Sequence, residues 1–360
     1  MKMRAQLTLF RGLLIGGLVS IGSSAADPYG LISDEDFATR FGEVEAFWSK
    51  SVLPSAGKLE TEDQPAIHYV KAVQGRPGPV VVISSGRTEH YGKYKELIHD
   101  LWRQGYSVYI HDHRGQGVSG PPDLRPRGHV ENFDQYVDDL NRFLEKVVKK
   151  EQTERTKLFL LGHSMGGGIG IRFLEKYPGT VNAAAFSSPM LAPNTGMLPV
   201  GLICPFMRAT AWLRSEQYVL GEGPPSNPPT AYDSPENIFT TSPARFKALL
   251  VDGVGEHRLG GPTRKWLAEA CRASSAMLAD AGAITEPVMI VRSPTDEAVL
   301  PEAQDKFCEV LKQARNPCHG DDAEPQKPIS LRGAKHELFI EHDKYRTVAL
   351  KHVLDFFARQ

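Results

Sequence analysis

From residue 78 onward, short apolar runs alternate with stretches whose apolar residues recur at helical spacing. GPVVVISSG (78–86) is a β-branched run closed by glycine. YSVYIHDH (106–113), TKLFLLGH (156–163), NAAAFSSPML (182–191), EPVMIVRS (286–293) and KPISLRGAKH (327–336) repeat the pattern. Each reads as a short strand buried on both faces. Between them, YGKYKELIHDLWRQG (91–105) sets Tyr94, Leu97, Leu101 and Trp102 at helical spacing and stops at Gly105. NFDQYVDDLNRFLEKVVKK (132–150) carries an amphipathic stripe from Phe133 to Val147. Strands alternating with helices predict an α/β fold, a mostly parallel, doubly wound sheet with helices on both faces.

Residues 192–284 break that rhythm. GMLPVGLICPFMRATAWL is followed by the proline-rich GEGPPSNPPTAYDSP, then by FTTSPARFKALLVDG and GGPTRKWLAEACRASSAML. This stretch reads as a helical insertion without strands, dividing the core into residues 27–191 and 285–360. ARNPCHGDDAEPQKP (314–328) reads as a polar surface loop.

The first 26 residues belong to neither part. Lys2, Arg4 and Arg11 precede or border an apolar stretch from Gly12 to Gly22, and Ser24-Ala25-Ala26 offers a small-residue cleavage site. That order predicts a secretory signal peptide over residues 1–26 and an exported protein, periplasmic or secreted. The apolar stretch falls short of the about 20 residues a spanning helix needs. An uncleaved inner-membrane signal anchor is the alternative.

The whole chain has 360 residues, 41% hydrophobic and 24% charged, with a formal net charge of −1. Such a balance offers no broad basic surface, which excludes nucleic acid as the expected partner. Cys204, Cys271, Cys308 and Cys318 all lie beyond the signal. An even count in an exported protein permits two disulfides, with three possible pairings. Cys308 on the helix after Asp296 and Cys318 after the Asn316-Pro317 turn are the pair expected to join; two separate thiols are the alternative. No C-x-x-C or H-E-x-x-H spacing occurs, so no metal site is expected.

One glycine-rich junction changes the picture. LFLLGHSMGGG (158–168) runs a strand straight into Gly162-His163-Ser164-Met165-Gly166, a G-x-S-x-G turn with Ser164 at its tip. Backbones approach closely at such a reversal, so Gly162 and Gly166 tolerate little beyond glycine. A serine needs a base, and the base needs an orienting acid. For this turn the order along the chain is serine, acid, histidine. Asp296 follows the strand EPVMIVRS, and His336 follows the last strand, so both fall at the carboxyl edge where Ser164 sits. Glu297 is the close rival to Asp296. The Met165 amide, and the Arg87 amide in the loop SSGRTEHYGKY (84–94), are the expected donors to an oxyanion. GQGVSG (115–120) formally matches G-x-G-x-x-G, but PPDLRPRG follows it where a cofactor site would open a helix. It reads as a structural turn, and His111 and His113 lack further ligands for a metal.

SSGRTEHYGKY, DHRGQGVSG, LLGHSMGGG, SPTDEAV and GAKHELF, in this order, resemble the monoglyceride-lipase and bacterial lysophospholipase branch of the α/β-hydrolases. The likeness covers roughly residues 60 to 358. It extends into the insertion, where SPARFKALL and GGPTRKWLAEA look like the lysophospholipase cap. The resemblance implies Ser164 as nucleophile with Asp296 and His336 as partners, and the Arg87 and Met165 amides as oxyanion donors. It departs from the monoglyceride lipases at Ser85-Gly86, where they have His-Gly, and at Arg87, where a small residue is common. That shifts the match toward the lysophospholipases.

The expectation is therefore a cofactor-independent serine hydrolase of single-chain lipid esters, first a lysophospholipase, alternatively a monoacylglycerol lipase or general carboxylesterase. A non-catalytic binding module on the same fold is the rival from another class. Its partner would be the lipid ester, met at a membrane surface in transient contact. Cap residues Leu198, Val200, Leu202, Phe206, Met207 and Trp212 are expected to hold the acyl chain, with Phe206 and Trp212 foremost.

Overall fold

The computed structural model describes residues 28–360 apart from 62–63, 120–126, 154, 196–198, 226–230 and 236. The expected signal peptide and Leu198 lie outside the described residues. Leu31–Gln360 form one unit, and Met1–Gly30 count as another.

Eight strands are described: β1 (Gly57–Thr61), β2 (Gln64–Ala72), β3 (Val80–Ser84), β4 (Ser107–His111), β5 (Leu158–His163), β6 (Ala183–Ser187), β7 (Val288–Arg292) and β8 (Ile329–Ser330). The helices are α1 (Asp34–Phe47), α2 (Lys95–Arg103), α3 (Asp134–Phe143), α4 (Met165–Lys176), α5 (Val200–Thr210), the single turn α6 (Pro243–Arg245), α7 (Arg264–Ala279), α8 (Pro301–Gln313) and α9 (Asp343–Ala358). The strands form one sheet in the order β1-β2-β4-β3-β5-β6-β7-β8. Only the β1–β2 and β2–β4 pairings are antiparallel. Every residue of β3, β4, β5, β6 and β7 is buried, which is why these strands appear in the sequence as unbroken apolar runs.

Sequence periodicity passed over α1 and the β1–β2 hairpin. The opposite error occurs at the C-terminal strand: only Ile329 and Ser330 of KPISLRGAKH pair with β7. The chain then turns through Gly333, at φ +87°, and carries His336 off the sheet. The described part of GQGVSG, residues 115–119, forms a turn. The Asp112 carboxylate closes it, accepting from the amides of Tyr91 (2.8 Å) and Val118 (2.9 Å) and pairing with His90 Nδ1 (2.7 Å).

The insertion is anchored by burial as much as by chain connection. Its helix α7 buries Trp266, Leu267, Cys271 and Met277 in the same apolar cluster as α4 and the sheet. A disulfide joins Cys271 on α7 to Cys204 on α5, and a second joins Cys308 to Cys318. Near the insertion's middle, Arg245 is fully buried. It ion-pairs with Glu96 of α2 (2.9 Å), Asp34 of α1 (3.0 Å) and Asp343 of α9 (3.1 Å), and donates to the Ile32 carbonyl (2.6 Å). A buried guanidinium with one partner would be costly, and four partners from separate elements make it a clamp.

Candidate active site

Ser164 sits between β5 and α4 with φ +52° and ψ −121°, a left-handed conformation that residues with a Cβ seldom adopt. Its neighbours hold it there. The Ser164 amide donates to the Ser187 carbonyl (3.0 Å), and its carbonyl accepts from Met190 (2.8 Å) and Gly167 (3.0 Å). The glycines are sterically required. A Cβ at Gly166 would lie 2.1 Å from the Ser84 carbonyl oxygen, and one at Gly162 would lie 2.8 Å from Gly167 Cα. Backbone cannot retreat as a flexible side chain can, so the G-x-S-x-G spacing follows from the close approach of β3, β5 and α4.

His336 Nδ1 lies 2.7 Å from Asp296 Oδ2. The other Asp296 oxygen accepts from the amides of Ala298 (2.9 Å) and Val299 (3.2 Å). Burial opposes ionisation of Asp296, but His336 and these hydrogen bonds outweigh it and hold the carboxyl below its ordinary range. Burial likewise pushes the His336 imidazole down, and the charge and hydrogen bond of Asp296 outweigh this and raise it. Glu297, the rival acid, is exposed.

Ser164, Met165, Arg87 and His336 line one cavity of about 330 Å³. Its apolar wall comes from Phe239, Phe246, Leu250, Val254, Leu259 and Trp266 of the insertion. Phe206 and Trp212, expected to hold the acyl chain, line no part of it. They are 57% and 74% exposed. Helix α5 turns Cys204 and Met207 inward, with Cys204 bonded to Cys271, and that orientation leaves Phe206 outward together with Leu202. Apolar residues at helical spacing mark a face without saying what covers it. Phe246 and Leu250, four apart in FTTSPARFKALLVDG, carried the same signal.

The cavity's polar side is a buried cluster that sequence patterning does not reveal. The Lys93 ammonium bonds both Glu89 and Glu337, the latter at 2.6 Å. Glu89 also accepts from Tyr94 Oη and the Gly86 amide, each at 2.5 Å. His163 Nε2 lies 3.1 Å from Glu337. Glu337 adjoins His336, His163 adjoins Ser164, and Gly86 adjoins Arg87, so the cluster links all three segments of the site. The His163 ring and the Lys93 ammonium outweigh burial and depress the Glu337 carboxyl, while the two carboxylates outweigh burial and raise Lys93. Glu89, His163 and Glu337 also converge like a metal's ligands. Lys93 bonded to both carboxylates already supplies the positive charge there. The only outward signal was His163 beside Ser164 and Glu337 beside His336.

The sheet order and the strained serine turn at its carboxyl edge make the protein an α/β-hydrolase. The chain belongs to the family described as serine aminopeptidase, S33, whose pattern matches residues 75–343. It is 33% identical to lysophospholipase L2 of Escherichia coli over 327 residues, 89% of this chain and 92% of that relative. It is 29% identical to a monoacylglycerol lipase of Mycolicibacterium smegmatis over 224 residues, 62% of this chain and 72% of that relative. Among solved structures, a soluble variant of monoglyceride lipase from Saccharomyces cerevisiae superposes with a TM-score of 0.65 at 18% identity, covering 84% of this chain and 94% of that one. That last likeness is one of fold.

Proposed function

We propose that the protein hydrolyses carboxylic esters of single-chain lipids, and lysophospholipids first among them. One observation carries this reading: Ser164 and the paired His336 open onto the same cavity, whose far wall is apolar. In the proposed mechanism Ser164 Oγ attacks the acyl carbonyl while His336 takes its proton. Asp296 holds the imidazole and favours the imidazolium. The amides of Arg87 and Met165 receive the developing oxyanion. His336 then protonates the departing alcohol, and a water activated by the same ring releases the fatty acid. Each buried methylene contributes about 0.8 kcal/mol, so Phe246, Leu250 and Val254 would select a long chain. Similarity to lysophospholipase L2 along nine-tenths of the chain supports the lysophospholipid choice. Monoacylglycerol hydrolysis is the second reading, favoured by the likeness to the mycobacterial lipase.

The outward face of the cap fits transient contact with a membrane. Leu202, Phe206, Trp212 and Leu213 are exposed there, with Arg208 and Arg214 beside them. Apolar and aromatic groups rimmed by arginine suit an anionic lipid interface. Export remains our reading of the N-terminal sequence, and the two disulfides are compatible with an oxidising destination. The deciding experiment compares hydrolysis of lysophospholipid and monoacylglycerol by the wild type and by Ser164→Ala. Wild type should cleave at least one, and be labelled at Ser164 by a fluorophosphonate. Labelling of a different serine, or undiminished activity in the alanine variant, would overturn the assignment.

A further inference from the structure

The cavity wall holds two arginines whose side chains the esterase mechanism does not use. The Arg87 side chain extends from the very residue whose amide is proposed to meet the oxyanion. Its Nη2 donates to the carbonyls of Gly260 and Gly261, both at 2.9 Å, and at 3.5 Å to that of Arg127. Its guanidinium carbon lies 5.0 Å from the centre of the Trp266 ring. All of these partners are neutral. Arg87 Nε is buried with no hydrogen-bond partner, and Arg87 forms no ion pair among the described residues. Arg258 lines the same cavity, donates to the Leu250 carbonyl (2.8 Å), and likewise forms no ion pair among the described residues.

No acid among the described residues pairs with either arginine. Glu89 and Glu337 share the cavity but are bound to Lys93. Glu222 lies near Arg87 but is exposed and beyond ion-pair distance. Burial, only partly offset by its neighbours, pushes the Arg87 guanidinium down to about 10, and burial pushes Arg258 down as well. A desolvated cation held by carbonyl dipoles and a ring face, with no anion, is under-compensated. Arginine is also the side chain whose planar fork best matches a phosphate.

We propose that Arg87 and Arg258 form an anionic headgroup subsite that binds the phosphate of a lysophospholipid while its acyl ester lies at Ser164. This rests on the serine-esterase reading and adds the feature that would separate a lysophospholipase from a monoacylglycerol lipase. In a lysophospholipid the phosphate is attached to the same glycerol that carries the acyl ester, only a few bonds away. An arginine side chain starting from the oxyanion loop spans a comparable reach. The glycerol of a monoacylglycerol would leave both guanidinium groups without an anion.

The test compares kcat/KM for a lysophospholipid and a monoacylglycerol carrying the same acyl chain. Hydrogen bonds to charged groups are worth enough that Arg87→Gln and Arg258→Gln should each lower the ratio about 10- to 100-fold. Arg258→Lys should retain more of the ratio than Arg258→Gln. An unchanged ratio in both glutamine variants, whatever their absolute rates, with wild-type hydrolysis dependent on Ser164, would overturn the subsite and leave the esterase reading standing. If a variant fails to fold, calorimetry on the wild type decides. Dodecyl phosphate should bind at least about tenfold more tightly than the neutral dodecyl glyceryl ether, and the advantage should shrink with added salt. Equal binding would refute the subsite, whether or not the protein cleaves either ester. Inorganic phosphate should compete only weakly. Competition as strong as that of dodecyl phosphate would show a site for the free anion, and the headgroup assignment would fall.

Discussion

Ser164 is strained, His336 is raised and Asp296 is lowered, and each follows from one or two contacts. The consequence for pH has a definite sign. As the proposed general base His336 must be neutral, and Asp296 holds it above the ordinary 6.5 against the opposing effect of burial. Activity should therefore fall as pH drops through a midpoint above 6.5. In Asp296→Asn the attraction is gone and burial remains, so the acid limb should move to lower pH. The rate itself should fall by orders of magnitude, about 10⁴-fold where the tautomer is lost. A pH profile of kcat/KM for both proteins checks this, and an unmoved limb would show that another group governs it. At this scale Ser164, Asp296 and His336 were legible because a chain order and a glycine spacing mark them. Lys93, Glu89 and Glu337 were not, because a buried charged residue is spelled like an exposed one. Only its partners, 244 positions away in the case of Lys93 and Glu337, distinguish it.

The elements bring these residues together through a few polar ties. Lys93 belongs to the turn before α2, Glu337 to the segment before α9, and His163 to the end of β5. Lys93→Met would leave two buried carboxylates facing each other, and breaking such a pair costs about 3–5 kcal/mol. Denaturant unfolding should show that loss at neutral pH. Glu337 is depressed in the folded state, so its stabilising contribution is present above about pH 4.5 and fades as pH falls toward its folded pKa. The Lys93→Met deficit should accordingly narrow in acid, and a deficit constant with pH would argue against the ion pair as its cause. The insertion divides its own apolar residues between two tasks. Phe246→Ala with Leu250→Ala should flatten the gain in kcat/KM with acyl length. Phe206→Ser with Trp212→Ser should instead weaken binding to anionic vesicles. Hydrolysis of soluble esters of increasing chain length and vesicle sedimentation separate the two. The reverse assignment of effects would restore Phe206 and Trp212 to the acyl site.

Across the whole molecule, one disulfide ties two helices of the insertion together, a second ties α8 to the loop after it, and the Arg245 clamp joins the insertion to α1, α2 and α9. Cys204 and Cys271 are 67 residues apart and Cys308 and Cys318 are 10 apart. Loop-closure reasoning assigns about 4 kcal/mol to the longer loop and about 2.5 kcal/mol to the shorter. Replacing both cysteines of each pair by alanine should rank the losses in that order by thermal or denaturant unfolding, and the opposite ranking would show that local packing outweighs chain entropy here. Sequence alone determined the α/β alternation and the G-x-S-x-G turn, because each is written within a few adjacent residues as an apolar period or a glycine requirement. It also placed Asp296 just past a strand, where parallel topology brings every carboxyl edge to one side, while His336 comes from the turn beyond β8. What the tertiary structure alone decided is which apolar face of the insertion meets the active site and which meets solvent. It also decided which arginines lack a counter-ion. Both depend on contacts between segments far apart in the chain, where periodicity carries no information about the partner.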